Sequence, residues 1–233
     1  MSDVFLLDDP IWNTLSTSHA ALALGSGLAR RYPPAIGPLS GLANHSDAAW
    51  EDLRALAGPG GIVVLFLPGP ARPRDGWTLV REGPLTQMLC LEPPSSSSAP
   101  LPADVTMRRL TAADAPAMVA LAELTEPGPF RDRTHELGLF YGIFHENRLV
   151  SMAGQRMRMP GFVEVSAVCT HPDARGRGYA RTLMLAVMDE IHRTGNKPFL
   201  HAWADNHSAI RVYHDLGYTH RHTLHVAALR NDA

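Results

Sequence analysis

The chain has 233 residues, enough for one sizeable core or two modest ones. Its 45% hydrophobic content is that of a soluble globular protein, and a formal charge of -2 gives no global attraction to nucleic acid or anionic membranes. Any anion site must be local. The two cysteines, Cys90 and Cys169, lie far apart without C-x-x-C spacing, which speaks against a disulfide framework or zinc ribbon and predicts a reducing cytoplasm. The longest apolar run, near residues 62–67, is too short to span a bilayer, and "MSDVFLLDDP" carries acids where a signal peptide needs bases. No membrane or targeting segment is expected.

In chain order, "PIWNTLSTSHAALAL" predicts a helix and "GSGLARRYPPAIGPLSGL" short strands and turns. "DAAWEDLRALAG" is a helix closed by glycine, and "GIVVLFLPG" a buried strand. A Pro/Ser-rich linker at 93–103 then separates an N-terminal α/β domain, residues 1–92, from a second domain, 104–233. There "VTMRRL" is a strand, "TAADAPAMVALAELT" a helix that Thr111 caps, and "RTHELGLF" a short helix. "YGIFHENRLVSMAGQRMR" gives two strands turned at "HENR", and "GFVEVSAVCT" a third. Residues 176–194 form a long helix, followed by the strand "KPFLHAWAD", the helix "SAIRVYHDLG" and the strand "YTHRHTLHVAAL". The fold class is α/β in the mixed α+β sense, a mixed sheet flanked by helices.

In the long helix Ala180, Leu183, Met184, Val187, Met188 and Ile191 make one apolar stripe, which starts directly after "RGRG". A helix start leaves backbone N–H groups without acceptors, and the dipole adds positive charge there. Glycines at 176 and 178 let an anion approach the backbone, while Arg175, Arg177 and Arg181 add charge. A pyrophosphate suits such a turn; so, taken alone, does a reading as a solvated basic turn. Neither a Walker-type loop nor G-x-G-x-x-G spacing is present.

"VSAVCTHPDARGRGYARTLM" closely resembles the acetyl-coenzyme A signature of the GNAT superfamily of N-acetyltransferases, with Arg175, Gly178 and Ala180 at its marked positions. "NHSAIRVYHDLGY" resembles the second signature through Asn206, Ala209, Tyr213, Gly217 and Tyr218. The resemblance covers residues 104–230 and implies a GNAT-like sheet. It implies that backbone groups of Val168, Cys169 and Thr170 hold the pantetheine arm. The loop Arg175, Gly176, Arg177, Gly178, Tyr179 and Ala180 would hold the pyrophosphate, and Asn206 would touch the cofactor. The N-terminal half lacks both signatures but shares the helix and strand rhythm, as a degenerate second copy would.

Amine acetylation needs a base for the ammonium proton and a donor for the departing thiolate. Glu164 alternates onto one strand face with Phe162 and Ser166, at the place where many members of the resembled family carry a catalytic glutamate. Burial would raise its pKa; the alternative is a solvated edge carboxylate or a partner for an arginine. Tyr213 lies two helical turns after Asn206, and the matching family tyrosine often donates to sulfur; the alternative is packing with Ile210 and Leu216. His220, His222 and His225 divide between two strand faces, so no metal site is expected. Cys169 reads as a packed or backbone-contacting residue, not a nucleophile.

The sequence thus predicts an N-acetyltransferase using acetyl-coenzyme A as cosubstrate, with Glu164 and Tyr213 as catalytic residues and an amine-bearing small molecule or peptide as acceptor. Neither metal nor nucleic acid is expected, and the oligomeric state, a homodimer included, stays open. Two rival readings are a coenzyme A-binding regulatory module and an enzyme using a longer acyl group or an amino acid acceptor.

Overall fold

The computed structural model describes residues 4–72, 74–92 and 100–233. Most of the expected linker, 93–99, lies outside them.

The first helix, α1 (Pro10–Ser16), is shorter than its apolar pattern suggests, because the Thr17 hydroxyl donates back to the Asn13 carbonyl and the chain continues as a 3-10 turn at Ala20–Leu22. Strands β1 (Ala29–Arg31) and β2 (Ser40–Leu42) pair antiparallel, and α2 (Asp47–Ala57) leads to β3 (Ile62–Leu67). Next comes β4 (Trp77–Leu89), a thirteen-residue strand absent from the sequence expectations. Gly83 and Pro84 interrupt its pattern, and proline inside an apolar run argues against a central strand.

After the linker the order is β5 (Val105–Arg109), α3 (Ala115–Thr125), β6 (Phe140–His145), β7 (Arg148–Met159) and β8 (Phe162–Thr170). It continues with α4 (Tyr179–Arg193), β9 (Lys197–Trp203), α5 (His207–Asp215) and β10 (Thr219–Asn231). Thr111 and Asp114 form a reciprocal cap ahead of α3, so the expected cap is present one turn upstream of the regular helix. The "RTHELGLF" segment is a 3-10 turn, Thr134–Leu137.

Eight strands make one sheet in the order β3-β10-β4-β9-β8-β7-β6-β5, antiparallel except for β8 beside β9. Strands from both sides of the linker therefore share one sheet. β4 pairs with β10 along its length but with β9 only from Leu85 onward, so Pro84, which has no N–H, stands where the second ladder ends.

One arrangement recurs. β7 and β8 are antiparallel, and β8 crosses through α4 to the parallel β9. Likewise β1 and β2 are antiparallel, and a parallel bridge from Leu39 to Val64 sets the start of β2 beside β3, with α2 as the crossover. β9 then neighbours β4, while β3 neighbours β10. Each half thus supplies a strand that lies next to the other half.

The apolar face of α4 packs on the sheet with Leu183, Met184, Val187, Met188 and Ile191 all buried. On the opposite face Leu7, Ile11, Tyr32 and Ile36 of the N-terminal half pack with Met157, Phe162 and Phe199. No described helix is long and apolar enough to cross a membrane.

Candidate active site

The two parallel strands part company early. β8 pairs with β9 only at Phe162, Val163 and Glu164, so from Val165 to Thr170 the side of β8 toward β9 has no strand partner among the described residues. Backbone N–H and C=O groups along such an edge need acceptors and donors from elsewhere. β8 also bulges: Met152 faces Cys169 and Gly154 faces Ser166, so three β8 steps answer two on β7, and Ala167 takes a left-handed φ of 52°. A non-glycine residue there is strained, and bulges re-aim backbone and side chains beside functional sites.

The arginine-glycine turn follows directly. Gly176 and Gly178 both have φ of 77°, which is why α4 starts at Tyr179 and not at 176. A Cβ on either glycine would meet nothing within 4 Å. The glycines therefore serve the backbone conformation, and the space over the turn is open. Among the described residues no side chain caps α4, and its first turn carries no acid, so its leading N–H groups and dipole are left uncompensated by them. Arg175 Nε donates to the Thr170 carbonyl at 3.3 Å, folding the turn back on the strand end. These features fit a pyrophosphate over 175–180 and an extended amide chain along 165–170.

The remaining residues expected on the cofactor side fall as follows. Cys169 is buried in an apolar cluster, and burial pushes its thiol up to about 11, which suits packing and not nucleophilic use. Its carbonyl accepts from the Ser151 hydroxyl at 2.8 Å, and that hydroxyl also meets the Thr170 hydroxyl at 2.7 Å. Val168 is partly buried on the same strand end. Asn206 caps α5, its Oδ1 accepting from the Ala209 N–H at 3.2 Å. Because β8 and β9 run parallel, Asn206 and the 175–180 turn stand at the same end of the sheet. Crevices at the carboxyl ends of parting parallel strands are where ligands bind in α/β sheets.

Tyr213 is half-buried on α5, edge-on to Tyr218 at 6.2 Å, and desolvation pushes its hydroxyl up to about 12. It remains a neutral donor at any physiological pH.

Glu164 departs from expectation. It has no solvent exposure, and both carboxylate oxygens are taken: Arg156 Nη2 donates to Oε1 at 2.6 Å and Arg156 Nε to Oε2 at 2.7 Å, while His201 Nδ1 lies 2.8 Å from Oε1. Burial does push its pKa up, as expected, but the Arg156 guanidinium and the His201 hydrogen bond outweigh it and hold the carboxyl down at about 2. A group so held is a weak base without direct access to an acceptor, so the geometry speaks against direct proton abstraction by Glu164 and leaves the expected route through water as a proposal. The reading as an arginine's partner is the one the geometry matches.

Sequence reasoning missed the rest of this network. Arg221 Nη1 donates to Gln87 Oε1 at 2.8 Å, which orients the amide. Gln87 Nε2 then donates to the Leu7 carbonyl at 2.8 Å and faces His201 Nε2 at 3.0 Å. His201 Nε2 must accept, so its proton is on Nδ1, pointing at Glu164. Burial pushes the His201 pKa down despite the carboxylate beside it, so the ring is neutral. Five segments distant in sequence meet here, and only the alternation along β8 hinted at it.

On the Glu164 face of the sheet a cleft opens between β8 and the turn after α3, lined by Pro127, Gly128, Phe130, Arg156, Ser166 and Ala167. The strained Ala167 is thus shared between this cleft and the parted edge of β8. The cleft encloses about 10 Å3. That is room for one water, so a larger occupant enters by a small end group or spreads the 127–130 turn. Thr134 ties this wall to the N-terminal half: its hydroxyl donates to the Ile36 carbonyl and accepts from the Arg131 N–H, both at 2.7 Å. Arg133 and Glu136 pair with each other on the surface, away from the cleft lining. Among the described residues no group of three or more His, Cys, Asp or Glu side chains is placed to hold a metal ion.

The description "FR47-like protein" belongs to a family model that matches residues 140–226. A structure of a GNAT-family protein from Novosphingobium aromaticivorans aligns with a TM-score of 0.88 and 38% identity, over 97% of this chain and 99% of that one. A GCN5-related N-acetyltransferase from Kribbella flavida aligns at 0.61 and 18% identity, over 96% of both chains. A tandem GNAT protein from the clavulanic acid biosynthesis pathway aligns at 0.58 and 16% identity, over 88% of this chain and 78% of that one. No curated protein matches the chain.

Proposed function

Because the chain belongs to the GNAT superfamily, we propose that it is an N-acetyltransferase that passes the acetyl group of acetyl-coenzyme A directly to a primary amine in a ternary complex. The observation that carries this reading is the parting of β8 from β9 after Glu164, beside the open, uncapped turn at Gly176 and Gly178.

Acetyl-coenzyme A would supply a thioester carbonyl. N–H groups of residues 176–180, with Arg175 and Arg177, would hold its pyrophosphate, and the free edge of Val168, Cys169 and Thr170 would hold its amide arm. Asn206 would close the same crevice. The amine nitrogen attacks the carbonyl carbon, a C–N bond forms, and the C–S bond breaks with its electron pair leaving on sulfur. One amine proton goes to water and the sulfur ends as a thiol. Backbone N–H groups at the Ala167 bulge would face the developing oxyanion.

Tyr213 would stand at the sulfur. A phenol raised to about 12 is a weaker acid than a thiol. Since thiols ionise near ~8.5, its contribution is a hydrogen bond to the departing thiolate and not a completed proton transfer. Glu164 acts as a positioning residue that holds Arg156. The acceptor then reacts in its neutral form, delivered from solution or deprotonated through water.

The N-terminal half is read as a degenerate copy of the fold. Its crossover helix α2 begins with the Ser46 cap, which accepts from Ala49 N–H at 3.3 Å, and with Asp47, features that fill and repel an anion site where α4 leaves one open. Its work is to buttress the acceptor wall. Buried, unpaired cysteines suit a cytoplasmic setting.

The test is thiol release from acetyl-coenzyme A across a panel of amines, with longer acyl donors in parallel. Turnover restricted to longer acyl groups would change the donor; acetyl-coenzyme A binding without thiol release for any amine would favour a regulatory module.

A further inference from the structure

Arg156 stands between the buried carboxylate and the cleft. Its side chain is 13% exposed where that of Glu164 is 0%. A β7 bulge puts it there: Gln155 faces Val165 and Arg158 faces Val163, so two residues, Arg156 and Met157, answer Glu164 alone. A guanidinium has five N–H donors. Glu164 takes one from Nε and one from Nη2, and no residue of the described chain accepts from Nη1. Nη1 reaches the cleft wall, 4.0 Å from where a Cβ on Gly128 would lie, and Gly128 has φ of 127°, a conformation side chains rarely adopt.

Glu164 spends both of its oxygens on Nε and Nη2 of Arg156, with His201 supplying a further donor, and so leaves Nη1 to another acceptor. Nη1 fronts the cleft, and an anionic ligand group with two oxygens would satisfy this outer edge of Arg156. A carboxylate is larger than the one water this cleft holds, and it enters as the 127–130 turn spreads.

We infer that the acceptor is a small amino acid, whose carboxylate is held by the outer N–H edge of Arg156 while its amine is presented toward the Ala167 bulge. This rests on the acetyltransferase reading above and names its substrate class. Glu164, His201 and Gln87 then form a clamp that fixes the guanidinium plane. Fixing the plane confers selectivity for a flat two-oxygen group.

The experiment uses the full chain saturated with coenzyme A and a panel of amino acids, each with its carboxamide and its decarboxylated amine, with binding measured by calorimetry and thiol release measured separately with acetyl-coenzyme A. At least one amino acid should bind about thirtyfold more tightly than its amide and its decarboxylated amine. Arg156→Lys should cut that preference to about threefold or less, with acetyl-coenzyme A affinity retained. Should Arg156→Lys fail to fold, the paired variant Arg156→Met with Glu164→Leu removes both charges and should show the same loss of preference. Equal binding of acid and amide, no binding by any amino acid, or a preference that survives both variants overturns the inference. Loss of acetyl-coenzyme A binding and turnover in the unaltered protein would instead sink the acetyltransferase reading.

Discussion

Arg156 grips both carboxylate oxygens of Glu164, at 2.6 and 2.7 Å, on the strand that also forms one wall of the parted sheet. The pair converts an acid that the sequence offers as a base into the fixed end of a clamp. Its consequences are measurable in both stability and pH dependence.

Glu164→Gln leaves the Arg156 charge buried without a counter-ion and is expected to cost about 3–5 kcal/mol in chemical denaturation. The native carboxyl lies at about 2 against an ordinary value of 4.5, so its stabilisation is complete above 4.5 and drains away as pH falls toward 2. The variant should therefore have a flatter stability profile across that window. A parallel loss in both proteins would show that the pair does not govern acid stability.

A clamped carboxylate does not titrate between pH 5 and 9, so the rise of kcat/KM with pH should follow the acceptor amine. Two acceptors whose amine pKa values differ by about 2 units should give acid limbs displaced by about the same amount. An acid limb fixed near neutrality for both would reveal a base on the enzyme.

Gly178→Ala introduces no clash but forces an alanine to φ of 77°. The expected cost in stability is about 1–2 kcal/mol. Acetyl-coenzyme A affinity should fall about tenfold by calorimetry as the turn relaxes, with larger losses at high salt. Unchanged affinity would remove the turn from the cofactor site.

Tyr213→Phe keeps the ring contact with Tyr218 and removes only the hydroxyl. We expect kcat to drop by about 10- to 100-fold with KM values little changed. Substituting a thioester of a more acidic thiol should shrink that defect, because such a leaving group needs less help. A defect independent of the thiol would assign the tyrosine to packing.

Thr134→Val strips the link between the acceptor wall and the Ile36 carbonyl and leaves that buried carbonyl and the partly buried Arg131 N–H unpaired. The cost should be about 1–3 kcal/mol, with acceptor KM raised and acetyl-coenzyme A binding intact. Equal changes in both substrates would mean that the wall supports the whole site.

Much of the fold is legible locally. The α4 stripe, the Thr111 cap, the glycine stop after Ala57 and the "HENR" turn each depend on neighbours within a few residues. β4 was hidden because its central Gly83 and Pro84 are tolerated only where β9 has already ended, a condition set by a strand more than a hundred residues away. Glu164 was visible as a notable acid, but the sign of its shift depended on Arg156, placed by a bulge, and on His201, oriented by Gln87. Periodicity assigns a face to a residue and says nothing of which partner waits there. The cofactor signatures were readable because their chemistry lies in consecutive residues; the acceptor wall is assembled from segments tied across the two halves.

The exchange of β4 and β10 bears on how this chain can be cut or inherited. A fragment beginning at Asp104 would lose the strand between β9 and β10, and one ending at Leu91 would leave β3 and β4 without the strand that separates them. Halves produced separately should thus assemble only when mixed, each completing the other. A frameshift that spoiled the thirteen residues of β10 would injure the N-terminal half as surely as the C-terminal one, so neither half can be shed without harm to the other.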